Sequence, residues 1–176
     1  MVNNGICWGI GNEIDTSNTV NGKPVYYWAN VNGGKVPNGA GQVIIVNCSN
    51  VIVENQYLDN ACIGIQIARS SNITVKNNTC SSNTKCGIHF IWNSSNNFVY
   101  LNNFINNTDN VYSSELTNLW NSTEEITYFY NGTTHESYLG NFWSDYTGTD
   151  ADDDGIGDNP YLSGIDFETC GLRRQK

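Results

Sequence analysis

Short alternating runs, each broken by a Ser/Asn-rich step, recur through the middle of the chain. The segments QVIIVNCSNVIVENQYL from Gln42, GIQIARSSNITVKNNTC from Gly64 and GIHFIWNSSNNFVYLNNFI from Gly87 superimpose. Each holds a strand, a polar turn, a second short strand, an Asn step and an apolar residue. Val43 and Ile45, Ile65 and Ile67, then Ile88 and Phe90 alternate with their neighbours, as strands with one buried face do. Val51 and Val53, Ile73 and Val75, then Phe98 and Tyr100 fall on the second strand. Leu58, Cys80 and Ile105 then close the unit on its apolar side.

A repeat of roughly 22 to 25 residues marks a solenoid. A leucine-rich repeat needs a Leu-dominated consensus, which is missing. Short strands with polar turns and no helical period predict an all-β chain, a right-handed parallel β-helix. Stacked about 4.8 Å apart, its coils pair every strand with the strand above. Asn55, Asn77 and Asn102 follow the second strands at matching places, which predicts an inward ladder of amides, each donating and accepting.

The flanks are less regular. Coils are expected over 1–109, with a projecting insertion at about 14–42 that holds PVYYW and GGKVPNGAG. ITYFY, Asn131-Gly132 and a further short strand predict a hairpin within 110–140, because Asn-Gly supplies the positive φ of a type I′ turn. An aromatic and acidic cap over 141–166 and an irregular tail over 167–176 complete the layout. The opening VNNGICWGI reads as a coil already under way. The chain is therefore expected to be a C-terminal piece of a longer β-helix, self-associating through an uncapped N-terminal coil.

Charge narrows the function classes. The net charge is −9, with 8 Lys and Arg against 17 Asp and Glu, so the basic footprint of a nucleic-acid binder is missing. No apolar run reaches the roughly 18 residues of a membrane span. Asn makes up about one residue in six. The six Cys include no C-x-x-C pair, which argues against structural zinc. Gly64 and Gly87 align, which places Cys62 and Cys86 near each other on adjacent coils as a candidate disulfide.

Asp150-Ala-Asp152-Asp153-Asp154-Gly155-Ile156-Gly157-Asp158 is the sharpest motif. Side-chain oxygens from Asp150, Asp152, Asp154 and Asp158, with the Ile156 carbonyl, follow the order of an EF-hand-type calcium loop. Tyr161 stands where the bidentate Glu would be, so Asp145 or Asp166 is needed to complete the shell. The expected cofactor is a structural calcium ion pinning the C-terminal cap. Four or five carboxylates within nine residues otherwise repel one another.

The coils, NTVNGKPVYYW, ITYFYNGTTHESYLGNFWSDY and TGTDADDDGIGDNPY together resemble archaeal NosD-like surface proteins. These are right-handed β-helix proteins of the carbohydrate-binding and sugar-hydrolase group. The resemblance runs nearly to Tyr161. It implies an extracellular or cell-surface module, and it carries a copper label. Two His, at 89 and 135, and a single Met argue against a copper site here.

Exposed aromatic rings stack on sugar faces, so Tyr26, Tyr27, Trp28 and Trp92 are candidates for glycan binding. Trp143 and Tyr146 are read instead as a plug at the end of the helix. N-x-S/T sequons at Asn93, Asn121 and Asn131 are candidate glycosylation sites. Glycoside hydrolysis needs paired carboxylates, and Glu54 aligns with Lys76 rather than with another acid. The expected function is a non-catalytic carbohydrate-binding, adhesive or structural module with a polysaccharide or cell-surface glycan as partner. A lyase or hydrolase of the β-helix type is the alternative, and a copper-binding maturation protein the weaker one.

Overall fold

The computed structural model describes residues 5–7, 11–113 and 117–162. A short strand, Thr19–Val20 (β1), turns back on Lys23–Ala29 (β2). The repeating coils follow as Gln42–Val46 (β3), Ile52–Glu54 (β4) and Tyr57–Asp59 (β5), then Ile63–Ala68 (β6), Thr74–Lys76 (β7) and Thr79–Ser81 (β8). Cys86–Ile91 (β9), Phe98–Tyr100 (β10) and Asn103–Ile105 (β11) make the next coil. Asp109–Ser113 (β12) opens the last, Ile126–Tyr130 (β13) and Thr133–Ser137 (β14) form a hairpin, and Phe142–Trp143 (β15) closes it. The strands stack into parallel sheets, ordered β2-β3-β6-β9-β12, β4-β7-β10 and β5-β8-β11-β15, with β1 antiparallel at one edge. The described residues therefore form an all-β parallel solenoid of about three regular coils.

Apolar side chains fill the interior in rows, one residue per coil. Val43, Ile65, Ile88 and Val111 share a row, as do Ile45, Ile67 and Phe90. Val53, Val75 and Val99 form another. The row Leu58, Cys80, Phe104 and Trp143 ends in stacked rings, with Trp143 4.7 Å from Phe104 and 4.4 Å from Tyr161. Trp143 thus plugs the end of the solenoid.

Asn does two separate jobs. At the outer corners the backbone turns through the left-handed region, and Asn occupies most of these positions, including Asn47, Asn50, Asn55, Asn60, Asn72 and Asn77. Asn visits that region at less cost than other side-chain-bearing residues. One residue further on, the chain turns inward and a second set of amides is buried. Asn78 Oδ1 accepts the Gln56 N–H at 3.0 Å, and its Nδ2 donates to Val53 O and to Asn102 Oδ1, both at 2.9 Å. Asn102 repeats the arrangement, donating to Val75 O and Asn141 Oδ1 at 2.9 Å. Asn83 with Asn107, and Asn97 with Asn118, build the same ladder at two other corners.

The ladder is therefore Gln56, Asn78, Asn102 and Asn141, and only Asn102 was placed correctly from sequence. Asn55 and Asn77 are exposed corner residues. The slip has a physical origin. Leu101, not an Asn, takes the left-handed corner of its coil at φ 56°. Aligning that coil on its Asn residues shifts it by one. For the same reason Val99 and Phe104 face inward where Phe98, Tyr100 and Ile105 were expected.

From β2 onward, the stretch expected to project joins the stack as a coil. β2 pairs in parallel with β3, and Asn32 and Lys35 bridge to Ser49 and Ile52 on the coil below. Gly5–Cys7, read as a starting coil, lies against the side of the stack. Ile6 exchanges two hydrogen bonds with the Gln42 side chain, at 2.8 and 2.7 Å. Residues 1–4 and 8–10, which the same reading included, lie outside the described residues, as do 163–176.

Cys62 bonds to Cys7, with Cα atoms 5.4 Å apart across 55 residues of chain. The expected Cys62–Cys86 bridge is absent. The register behind it holds, since Ile63 pairs with Cys86, but Cys86 is a free, buried thiol. The sequence offered no way to see that the N-terminal segment folds back along the coils to reach Cys62 first.

Two outcomes are expected. Asn78→Ala loses roughly 1–3 kcal/mol of stability, because it strands the buried Gln56 N–H and Val53 carbonyl. Asn77→Gly, which keeps the left-handed corner, stays within about 0.5 kcal/mol. Equal urea midpoints for the two would contradict the ladder. Replacing Cys7 and Cys62 together by Ser removes roughly 2–4 kcal/mol. A non-reducing peptide map that links Cys62 to any other cysteine would refute the pairing.

Candidate functional site

The acidic loop is positioned by the hairpin beside it. Asp150, Asp152 and Asp154 bring ligand oxygens within 4.8 Å of one another. Asp150 accepts the N–H groups of Asp154 and Gly155, each at 3.1 Å, and Asp154 accepts that of Ile156 at 2.7 Å. Asp153 sits in the left-handed region and takes a hydrogen bond from Asn131 Nδ2 at the hairpin tip. Gly155 has φ 86°, and a Cβ there would lie 2.8 Å from the Tyr130 ring. Only glycine meets both the backbone and the contact. The Tyr128 hydroxyl is buried here, and burial first, then the charges of Asp154, Asp150 and Asp152, push its pKa up.

The remaining expected ligands behave differently. Asp158 ties the loop ends together, accepting from Thr149 Oγ1 at 3.0 Å and Ala151 N–H at 2.9 Å. Ile156 is buried behind the loop. Asp145 is committed elsewhere, accepting from Asn110 Nδ2 at 2.7 Å and from the Tyr161 hydroxyl at 3.1 Å. Asp166 lies outside the described residues. The three carboxylates of Asp150, Asp152 and Asp154 lie close enough together to hold a metal ion through oxygen donors.

The aromatic candidates separate. Tyr26 and Trp28 pack against the main core, in the rows of Val43 and Ile45, while Tyr27 packs on the opposite face of the strand. They form no common platform. Tyr27 instead helps line an open cleft of roughly 600 Å³ with Glu13, Ile14, Asp15, Ser17 and Asn18. Trp92 lies open at the surface, 49% exposed, with the Arg69 guanidinium 5.1 Å from its ring.

Glu54 stands between two cations, 2.6 Å from Lys35 and 3.4 Å from Lys76. The Lys76 alignment was legible; Lys35 was missed because its coil read as an insertion. The Lys35 hydrogen bond, reinforced by the charges of Lys35 and Lys76, outweighs the opposing effect of burial and holds the Glu54 carboxyl below its usual range. Of the sequon residues, Asn93 is exposed, Asn121 half-buried, and Asn131 spends its amide on Asp153.

Over residues 11–148 the chain matches the model of a protein family described as Periplasmic copper-binding protein (NosD). No curated protein matches it. Copper calls for converging imidazole, thiolate or thioether donors. His89 lies on β9 and stacks edge-on against Tyr112, while His135 lies on the hairpin and stacks with Tyr128. Cys48, Cys80 and Cys86 are each buried within separate coils. Among the described residues, the three-residue convergence of metal-ligating groups is the all-oxygen Asp cluster. Among the described residues, the His and Cys donors do not converge as a copper site requires.

His89 pairs with Gln66 on the neighbouring coil, and both are buried. Burial lowers the His89 pKa to about 4, with a smaller contribution from Lys85. The unfolded imidazole takes its proton near the ordinary value while the folded one stays neutral. Stability is therefore unaffected above about pH 6.5 and falls by up to roughly 1.4 kcal/mol per pH unit below it, until the folded value is reached. His89→Gln, matching Gln66, should flatten this slope in urea melts between pH 6.5 and 4. An unchanged slope would assign the acid sensitivity to other groups.

Proposed function

The chain belongs to the NosD family, and we propose that it works outside the cytoplasm as a non-catalytic, glycan-binding scaffold with a calcium-set cap. The Cys7–Cys62 disulfide supports an oxidising, extracytoplasmic compartment. The observation that carries glycan binding is Trp92, an indole held open on a rigid coil corner while Trp120 and Trp143 are buried. A non-catalytic role is supported by Glu54, whose lowered pKa keeps it ionised and unsuited to proton donation. Calcium is favoured over copper by the oxygen-only donors of Asp150, Asp152 and Asp154.

Calcium should raise the melting temperature and a chelator should lower it. The gain is about 2.7 kcal/mol at 100 times the dissociation constant. Asp152→Ala should remove the calcium response, and calorimetry showing copper but not calcium binding would overturn this part. A glycan array probed with calcium present should give saturable binding that Trp92→Ala abolishes. An array with no binding at all would sink the glycan reading.

A further inference from the structure

The left-handed corners of the coils line up in rows, and one row carries bulky side chains on two adjacent coils. Asn30, Asn47, Arg69 and Trp92 follow the paired residues Ala29, Val46, Ala68 and Ile91, so they stack on successive coils. Their φ values are 59°, 50°, 50° and 55°. All four are exposed. Asn30 and Asn47 suit this backbone, and Asn47 Nδ2 donates to Asn30 Oδ1 at 2.6 Å. Arg and Trp do not suit it. Bulky residues there are outliers, held at a cost of roughly 1–3 kcal/mol each. Neither residue repays that cost by filling the interior, since both point to solvent.

The two strained residues also face each other. The Arg69 guanidinium lies 5.1 Å from the Trp92 ring centre. A guanidinium seated over a ring is held by cation–π attraction, and its several N–H donors suit a planar, two-oxygen acceptor. The exposed indole offers an apolar face beside it. Further along the row, the Asn47 and Asn30 amides continue the polar line. Coils repeat about every 4.8 Å, close to the length of one pyranose residue. The protein's charge of −9 gives no general attraction for an anion, so one that binds must do so through a local site.

We propose that this row is the glycan site and that it selects a sugar bearing a carboxylate, a uronic-acid-containing polysaccharide lying along the solenoid axis. Arg69 forks the carboxylate, Trp92 stacks on the ring, and Asn47 and Asn30 receive the next residues. This rests on the glycan-binding reading above and adds its substrate class and selectivity residue.

The test titrates the full chain, calcium present, with a galacturonic acid oligomer and with a neutral glucose oligomer of equal length, by calorimetry. Arg69→Asn and Trp92→Asn install the residue that the other coils carry at this corner. Each should weaken uronate binding at least tenfold while leaving the melting temperature unchanged or higher, a combination that a purely structural role would not produce. Uronate binding should also fall as salt rises. If both oligomers bind equally and Arg69→Asn changes neither, the carboxylate selectivity is wrong and the glycan reading survives. If the uronate binds but both Asn variants bind it as well as wild type, the site lies elsewhere. If neither these oligomers nor any arrayed glycan binds, the underlying reading fails and this inference with it.

Discussion

A coil that closes on itself must bring backbone N–H and C=O groups to its corners, where no neighbouring strand can pair them. Burying such groups unpaired costs about 1–3 kcal/mol each, and every coil repeats the problem. In this protein the buried carboxamide solves it. One Asn accepts an N–H and donates to a C=O on the preceding coil, then bonds the next Asn along the stack. The apolar rows can stay dry because the corners are satisfied internally. Coil spacing, register and core shape all follow from that arrangement.

The same constraint explains how the hairpin is accommodated. Asn102 bonds Asn141 across a separation of 39 residues, where the neighbouring step from Asn78 to Asn102 spans 24. The excursion leaves between Trp120 and Gly140 and the ladder resumes as though nothing intervened. Asn141 Nδ2 still reaches Val99 O at 2.8 Å and Trp120 O at 3.0 Å. The inserted hairpin then serves the cap, with Tyr130 against Gly155 and Asn131 on Asp153. The acidic loop is thus attached to the solenoid through two routes, the hairpin and the Phe104, Trp143 and Tyr161 ring stack.

The solenoid was legible because its signal is periodic and each coil repeats it. The first two regular coils aligned correctly, down to Glu54 against Lys76. What failed was local. Asn55 and Asn77 look identical in sequence to Asn78, yet the first two are exposed and the third is buried, because the left-handed residue holds its side chain out at the corner and the chain turns inward only at the next residue. Leu101 hid the corner of its coil, and the coil holding Lys35 hid behind its Gly/Pro-rich composition. The acidic loop was recognised by its spacing, but its contact with Tyr128 and Tyr130 was not, since nothing in a linear pattern brings the hairpin to it. Arg69 drew no notice for a similar reason: only the backbone φ reveals what it costs to place an arginine there.

Side-chain amide hydrogen exchange addresses the buried ladder most directly. In the folded protein, the Nδ2 protons of Asn78, Asn102 and Asn141 should exchange as slowly as the core backbone amides of β6 and β9, because they open only when coils separate. Those of Asn55 and Asn77 should exchange at the rate of solvent-exposed amides. If the Asn78 and Asn102 side chains exchange as fast as that of Asn77, the corners are wet and the amides do not hold the coils together.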